Sequence, residues 1–411
     1  DWLLSISHNV SRSLVLSYNG SNSSLIPSFT KDISISERNK MELFDNFFEV
    51  GESNFFNQNF SANYNLPISK FPFLSFIDAN YSYNGNFNWQ RGSDIQNNIV
   101  DELGNKLGRV NTIQNSNNQS LNVSINLDKL YRELGFLNKN PIFNLLKSLK
   151  RVRSTYSENS GKVLPGYIPS IGFLGTLKPS FGFVFGDQKD IRYEIAKNGW
   201  LTEFSNFNQQ YQKIYNSKFD LSAEIELFKN LRIDLNANRT YSNNYSENYS
   251  VINNQYNSLN GNFYGNFSIS SNMLSTSFSK KSVEFSENFE NLKNIRLDIA
   301  NRLIFRKDLD NINYDSDGFP VGFGKNSQSV LIPAFISAYT GIEPSKISLN
   351  PITDRPKLNW TLQYTGLEKY FDKIFSRVSL QHGYRSNFTI NNFNYNLNYQ
   401  ENGFDISGNY F

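Results

Sequence analysis

The stretch that decides the fold is KFDLSAEIELFKNLRIDLNANRTYS, Lys218 to Ser242. Phe219, Leu221, Ala223, Ile225 and Leu227 alternate with Asp220, Ser222, Glu224 and Glu226. After Phe228-Lys229-Asn230 the alternation resumes, with Leu231, Ile233, Leu235 and Ala237 set against Arg232, Asp234, Asn236 and Asn238. A period of two on both sides of a short break predicts a β-hairpin with one apolar and one charged face. An odd-length turn pairs Leu227 with Leu231, Ile225 with Ile233 and Ala223 with Leu235, whereas an even one would oppose apolar to polar residues. In that register Glu226 faces Arg232, a favourable cross-strand pair.

The same parity carried outward reaches Tyr215 and Tyr211 on one strand and Tyr241, Tyr245 and Tyr249 on the other. An apolar band of about nine to eleven residues bounded by aromatics is what a strand needs to cross a bilayer. On this reading Leu221, Ile225, Leu227, Ile233 and Leu235 face lipid. Asp220, Glu224, Glu226, Arg232, Asp234 and Asn236 face an aqueous lumen, and Tyr211, Tyr215, Tyr241 and Tyr245 form an aromatic girdle. The alternative for the hairpin is half of a soluble sandwich, in which strands usually run about five or six residues.

Composition agrees with a two-faced wall. The chain has 411 residues, is 38% apolar and has a mean hydropathy of −0.50, so it holds no stretch apolar enough for a spanning helix. A transmembrane barrel passes that filter because only alternate strand residues meet lipid. The 36 Phe and 23 Tyr suit interfacial girdles. Without cysteine there is no disulfide framework, thiolate nucleophile or thiolate metal site. A net charge of +3 from 40 basic and 37 acidic residues argues against a nucleic-acid partner. The chain opens on DWLLSIS, without a start Met or signal peptide, and closes on DISGNYF, which predicts a segment of a larger protein cut at both ends.

Along the chain, Leu3 to Tyr18 reads as strand and the NGSNSS run around Gly20 as a turn. Phe56 to Leu66 leads through a proline-bounded turn into a strand where Ser75, Ile77, Ala79, Tyr81, Tyr83, Gly85, Phe87 and Trp89 share a face. Asp78, Asn80, Ser82, Asn84, Asn86 and Asn88 form its other face. Arg91 to Asn118 reads as a long loop and Leu121 to Leu127 as the returning strand. Asn140 caps a helix with Pro141 at its first position and Ile142, Leu145, Leu146 and Leu149 at helical spacing, ending at Lys150-Arg151. Phe181, Phe183 and Phe185 make one face of a further strand, as do Phe263, Gly265, Phe267 and Ile269. Phe285, Phe289, Leu292 and Ile295 fit a helix, and NSQSVLIPAFISAYTG fits a second, shorter one. Strands resume at Leu358 to Tyr364 and Val378 to Tyr384.

No pattern for chemistry emerges. His8 and His382 are the only histidines, and His382 follows strand parity as a lumen or rim residue. No GxSxG elbow is present, and the hairpin carboxylates read as a solvated wall rather than an acid–base pair. Asn313-x-Asp315-x-Asp317-Gly318 matches half of a calcium loop, but Gly324 stands where the bidentate Glu belongs, so the segment reads as a turn. No catalytic, cofactor-binding or metal-binding residues are assigned, and no enzyme activity is expected.

At FPVGFGKNSQSVLIPAFISAYTG (319–341) the sequence resembles the SprA/Sov family, the outer-membrane translocons of the type IX secretion system of Bacteroidetes. KNIRLDIANRL (293–303), VSLQHGYRSNFTI (378–390) and ELFKNLRIDLNANRTYS share in the resemblance, which runs over most of the chain. It implies an outer-membrane barrel of about 36 strands, the largest size known for such barrels. It also implies a pore that passes folded cargo proteins, a smaller outer-membrane barrel covering a lateral gate, and a plug protein at the periplasmic end.

The expected fold class is therefore all-β: an antiparallel transmembrane barrel segment with long strands, short turns on one side and long loops carrying a few short helices. One wall segment is expected over residues 1–411, with insertions near 91–118, 128–175 and 284–352. Two other readings stay open, an outer-membrane porin or TonB-dependent transporter and a secreted β-rich adhesin. A barrel that closes on itself within this chain would favour the first, and folding without detergent the second.

Overall fold

The computed structural model describes residues 1–25, 52–101, 104, 106–133, 147–172, 175–228, 230–305, 313–350, 354–367, 370 and 374–395. Antiparallel strands dominate and helices are few. The strands are β1 (Trp2–Asn9), β2 (Leu14–Leu25), β3 (Glu52–Leu66), β4 (Ile77–Gln90), β5 (Asn111–Asn126) and β6 (Leu149–Tyr167). They continue with β7 (Tyr211–Phe228), β8 (Leu231–Ile252), β9 (Gln255–Ser270), β10 (Asn359–Thr365), β11 (Ser379–Tyr384) and β12 (Asn387–Tyr395). Sequential strands from β1 to β8 are neighbours in one sheet, and among the described residues β1 has β2 as its only strand partner. No pairing among those residues closes the sheet.

The chain forms two compact units. The first comprises Asp1–Glu133, Arg153–Lys218 and Ser242–Tyr264, and the second Leu134–Val152, Phe219–Tyr241 and Gly265–Phe411. In the first unit the register of β1 to β5 is continuous apart from one irregularity near Ser23. One face of this sheet is covered in part by the segment between β6 and β7, which holds the short helices Phe181–Val184 and Arg192–Lys197. Phe56, Phe87, Trp89 and Ile113 from the strands and Phe183, Val184, Ile191 and Ile195 from that segment form the main buried core.

On the side away from β7, β8 has two neighbours along its length. Leu231 to Asn236 pair with β10, while β9 also lies beside β8. The chain thus leaves the sheet after Ser270, forms the helices Glu287–Phe305 and Gln328–Thr340, and re-enters as β10. A polar clasp closes the root of this excursion. The Lys357 N–H donates to the Ser270 carbonyl at 2.8 Å, and the Ser270 hydroxyl donates to the Lys357 carbonyl at 2.7 Å. The fully buried Asn359 accepts from the Ser386 N–H at 3.0 Å. These bonds satisfy backbone groups that a broken strand leaves without ladder partners.

Several expectations change. The run around Gly20 lies inside β2, not in a turn. Gly20 lacks a side chain where the Tyr18 and Trp2 rings close over the backbone, so it serves close packing rather than chain reversal. Only the first part of the expected 91–118 loop is irregular, since Asn111 to Asn118 belong to β5. Their asparagines look like loop in sequence, but Asn111, Asn115 and Asn117 are buried with their amides bonded to backbone carbonyls. Residues 140–146 of the expected helix lie outside the described residues, and Leu149 to Arg151 begin β6, so this strand runs through the expected 128–175 insertion. Phe181, Phe183 and Phe185 do not form a strand. Ser180 caps the Phe183 N–H at 3.2 Å and starts a helical turn that buries Phe183 and Val184.

Candidate functional site

The feature that sets this sheet apart is the contrast between its faces. In the first unit one face of β1 to β5 is built from serine and asparagine, row after row. Ser5, Asn19, Asn59, Asn86 and Ser116 stand opposite one another across five strands, as do Ser7, Ser17, Ser61, Asn84 and Asn118. A third row joins Ser21, Asn57, Asn88 and Gln114. The side chains bond laterally: Asn57 donates to Asn88 at 2.6 Å, and Ser82 and Ser120 lie 2.8 Å apart. This face is hydrophilic, nearly uncharged and half-exposed. Residues that normally break strands hold their register here because side-chain partners replace the local backbone bonds they otherwise seek.

The opposite face has two zones. Near the turn joining β3 to β4, it carries Leu14, Tyr64, Tyr81 and Leu121 in one row, Leu66, Ala79 and Val123 in the next, then Ile77 and Ile125. None of these residues belongs to a buried core cluster. Beyond them the same face disappears under the segment between β6 and β7. There the strand side chains receive that segment's carbonyls: Gln58 donates to Val184 at 2.7 Å, Tyr83 to Phe185 at 2.6 Å and Asn117 to Gly186 at 2.8 Å.

The hairpin of the second unit repeats the uncovered apolar zone. Leu235, Trp360 and Tyr384 form one row, Ile233, Leu362 and His382 the next, and Leu231, Tyr364 and Leu380 a third. Leu221, Ile225, Ile233 and Leu235 are half-buried and Leu227 is exposed, and none belongs to a core cluster. His382 thus shares a face with Leu362 and Ile233 rather than with the polar residues. Farther along, Phe267, Ile269 and Phe388 are buried with Tyr241, Phe335 and Ile336 packed against them.

The polar candidates occupy the other face of the hairpin. Arg232 pairs with Asp234 at 3.0 Å and with Glu224 at 3.4 Å, while Glu226 lies 4.0 Å from Lys150. The expected Glu226–Arg232 pair is replaced because an arginine side chain is long enough to reach the next polar position along the strand. Asp220 is half-buried, and the exposed Asn236 stands opposite Asn359.

The tyrosines do not form an exposed belt. Tyr211 is 2% exposed and lies against Arg192, whose guanidinium carbon is 4.5 Å from its ring centroid. Tyr245 donates to Glu247 at 2.6 Å, Tyr215 donates to Glu158 at 2.9 Å, and Tyr241 packs on the buried Phe267 cluster. Strand parity is a local property and does not reveal that distant segments cover Tyr211 and Tyr245. Sequence reading also missed Glu247, which is 0% exposed and accepts from Arg192, Tyr245, Tyr256 and Ser258.

Asp315 uses one carboxylate oxygen to accept the N–H groups of Asp317 at 2.9 Å and Phe319 at 2.8 Å, so the half calcium motif is folded as a turn. Among the described residues no group of His, Asp and Glu is arranged to hold a metal. A scan against protein-family models gives no match to this chain, and a search of curated proteins gives no matching relative.

Proposed function

We propose that this chain is a wall segment of a protein-conducting outer-membrane β-barrel, of the kind the resemblance to type IX translocons implies. The observation that carries the reading is the two-faced sheet, with a serine–asparagine face backed by an apolar zone whose residues join no buried core cluster. From Ile77 to Tyr81 the uncovered part of β4 rises about 14 Å at about 3.4 Å per residue, which gives about 10 Å of membrane height when tilted as in known barrels. At its end the β3–β4 turn presents Phe71, 60% exposed, and Phe73, 83% exposed, where interfacial aromatics belong.

The polar face suits a passive conduit. In the first unit serine and asparagine hold a hydration layer with little fixed charge, and on the hairpin Arg232 is paired with Asp234 and Glu224, so less net charge is left to trap a passing protein. Specific cargo, a smaller lateral barrel and a periplasmic plug protein are proposed on the resemblance alone.

Paired lysine substitutions on β7 test the assignment of faces. Ile225→Lys should cost about 2–4 kcal/mol of folding stability in lipid vesicles, whereas Ser222→Lys on the polar face should be close to neutral. Equal tolerance of lysine at both positions would refute the lipid-facing assignment.

A further inference from the structure

Where the chain leaves the sheet after Ser270, the second unit contains a cavity of about 940 Å³. Its inner wall is apolar, built from Ile269, Met273, Ile336, Ile347 and Phe388. Its remaining wall carries serine, threonine and asparagine side chains together with the charged Lys346, Asp354, Arg355 and Lys357. These four groups differ in how far they are already engaged. Lys346 is tied to Glu343 at 2.8 Å. Asp354 is half-buried, and burial raises its carboxyl above the ordinary aspartate value although Ser348 and Lys357 act to lower it. Arg355 and Lys357 are exposed and have no ion-pair partner among the described residues.

We propose that this cavity binds an anionic amphiphile, with one alkyl chain against the apolar wall and a phosphate or carboxylate head held by Arg355 and Lys357. The size lies within the range of about 300–1,000 Å³ common for small-molecule sites. The apolar side of the lining gives an alkyl chain surface on which to leave water. Arg355 and Lys357 outnumber the one carboxyl beside them, Asp354, which acts on Lys357, and set the sign of the head. An arginine beside a lysine provides both a planar fork and a point charge, a combination suited to an oxyanion. The site depends on the cavity alone and stands whether or not the neighbouring strands cross a membrane.

The test is calorimetric titration of the purified full chain with decyl phosphate below its micelle concentration. Octyl phosphate, inorganic phosphate, decanol and decyltrimethylammonium serve as comparison ligands. Saturable one-site binding of decyl phosphate is expected, weakened about tenfold or more for octyl phosphate by loss of two buried methylenes. Arg355→Glu/Lys357→Glu should weaken decyl phosphate at least tenfold, because charge-assisted bonds to the head are lost. Ile342→Trp, at an exposed position lining the cavity, should reduce binding without altering either cation.

Absence of decyl phosphate binding would overturn the proposal. Equal binding of decanol or decyltrimethylammonium would reduce the site to an unselective apolar hollow, and equal binding of inorganic phosphate would reduce it to a surface anion contact. Binding unchanged by both variants would place the ligand elsewhere.

Discussion

Arg192 and Glu247 form the most demanding electrostatic contact in the first unit. Glu247 has no exposed surface, and its carboxylate is enclosed by Arg192, two tyrosine hydroxyls and a serine hydroxyl. Arg192 also binds Asp190 at 2.7 Å and lies over the rings of Tyr211 and Tyr256. Burial opposes the guanidinium charge, but Asp190, Tyr211 and Glu247 hold it protonated more firmly than a free arginine. Arg192→Ala strands a buried carboxylate and should cost about 3–5 kcal/mol by urea denaturation. Arg192→Met/Glu247→Met should recover much of that loss, because the unpaired charge goes with its partner. A double variant as unstable as the sum of the two single variants would show that the two charges are not coupled, and would contradict this account.

Asp190 supplies a pH signature for the same contact. Burial alone would raise its carboxyl, but its hydrogen bonds to Arg192 and the charges of Arg192 and Lys162 hold it below the ordinary aspartate value. A carboxyl depressed on folding contributes fully above its unfolded value, and the contribution is lost as pH falls through the lower folded value. The stability gap between the native chain and Asp190→Asn should therefore be full at neutral pH and close in acid. A gap that stayed constant down to strongly acid pH would contradict this account of Asp190.

Among the elements, the segment between β6 and β7 decides how much of its sheet face stays open. It approaches the strands so closely that a Cβ at Gly85 would lie 2.2 Å from the Phe185 carbonyl oxygen. Gly85→Ala should lift this contact and speed amide hydrogen exchange across residues 181–197, with β4 itself remaining protected. Unchanged exchange would show that the segment is held by its side-chain bonds alone.

This element also shows what the sequence could and could not reveal. Alternation made the hairpin and the two faces of β4 legible, because strand parity is a local property. The helices 287–305 and 328–340 were legible from helical spacing. The burial of Tyr211 and Tyr245 was not, because it depends on chain far away in sequence. The strand character of Asn111 to Asn118 was hidden for a related reason. Asn115 and Asn117 are satisfied by carbonyls of residues 183–187 and Asn111 by those of Ile168 and Pro169, while their composition alone reads as loop.

For the whole molecule, the central claim is that one face of the sheet meets water and the uncovered zone of the other meets lipid. Crowding by neighbouring side chains cannot imitate this distinction at exposed positions. Leu121, in the uncovered zone, is 38% exposed, and Ile6, on the same face at the β1 end of the Tyr18–Phe60 row, is 54% exposed, so both would be open to reagents if water lay outside them. Asn118 and Ser61 stand on the serine–asparagine face. The 411 residues contain no cysteine, so single cysteines can be introduced without background from this segment. The decisive measurement is labelling of Leu121→Cys, Ile6→Cys, Asn118→Cys and Ser61→Cys in native outer membranes with a membrane-impermeant maleimide. The account predicts rapid modification at Asn118 and Ser61, and protection at Leu121 and Ile6 that is lost when the protein is denatured. Rapid modification of Leu121 and Ile6 in intact membranes would contradict it.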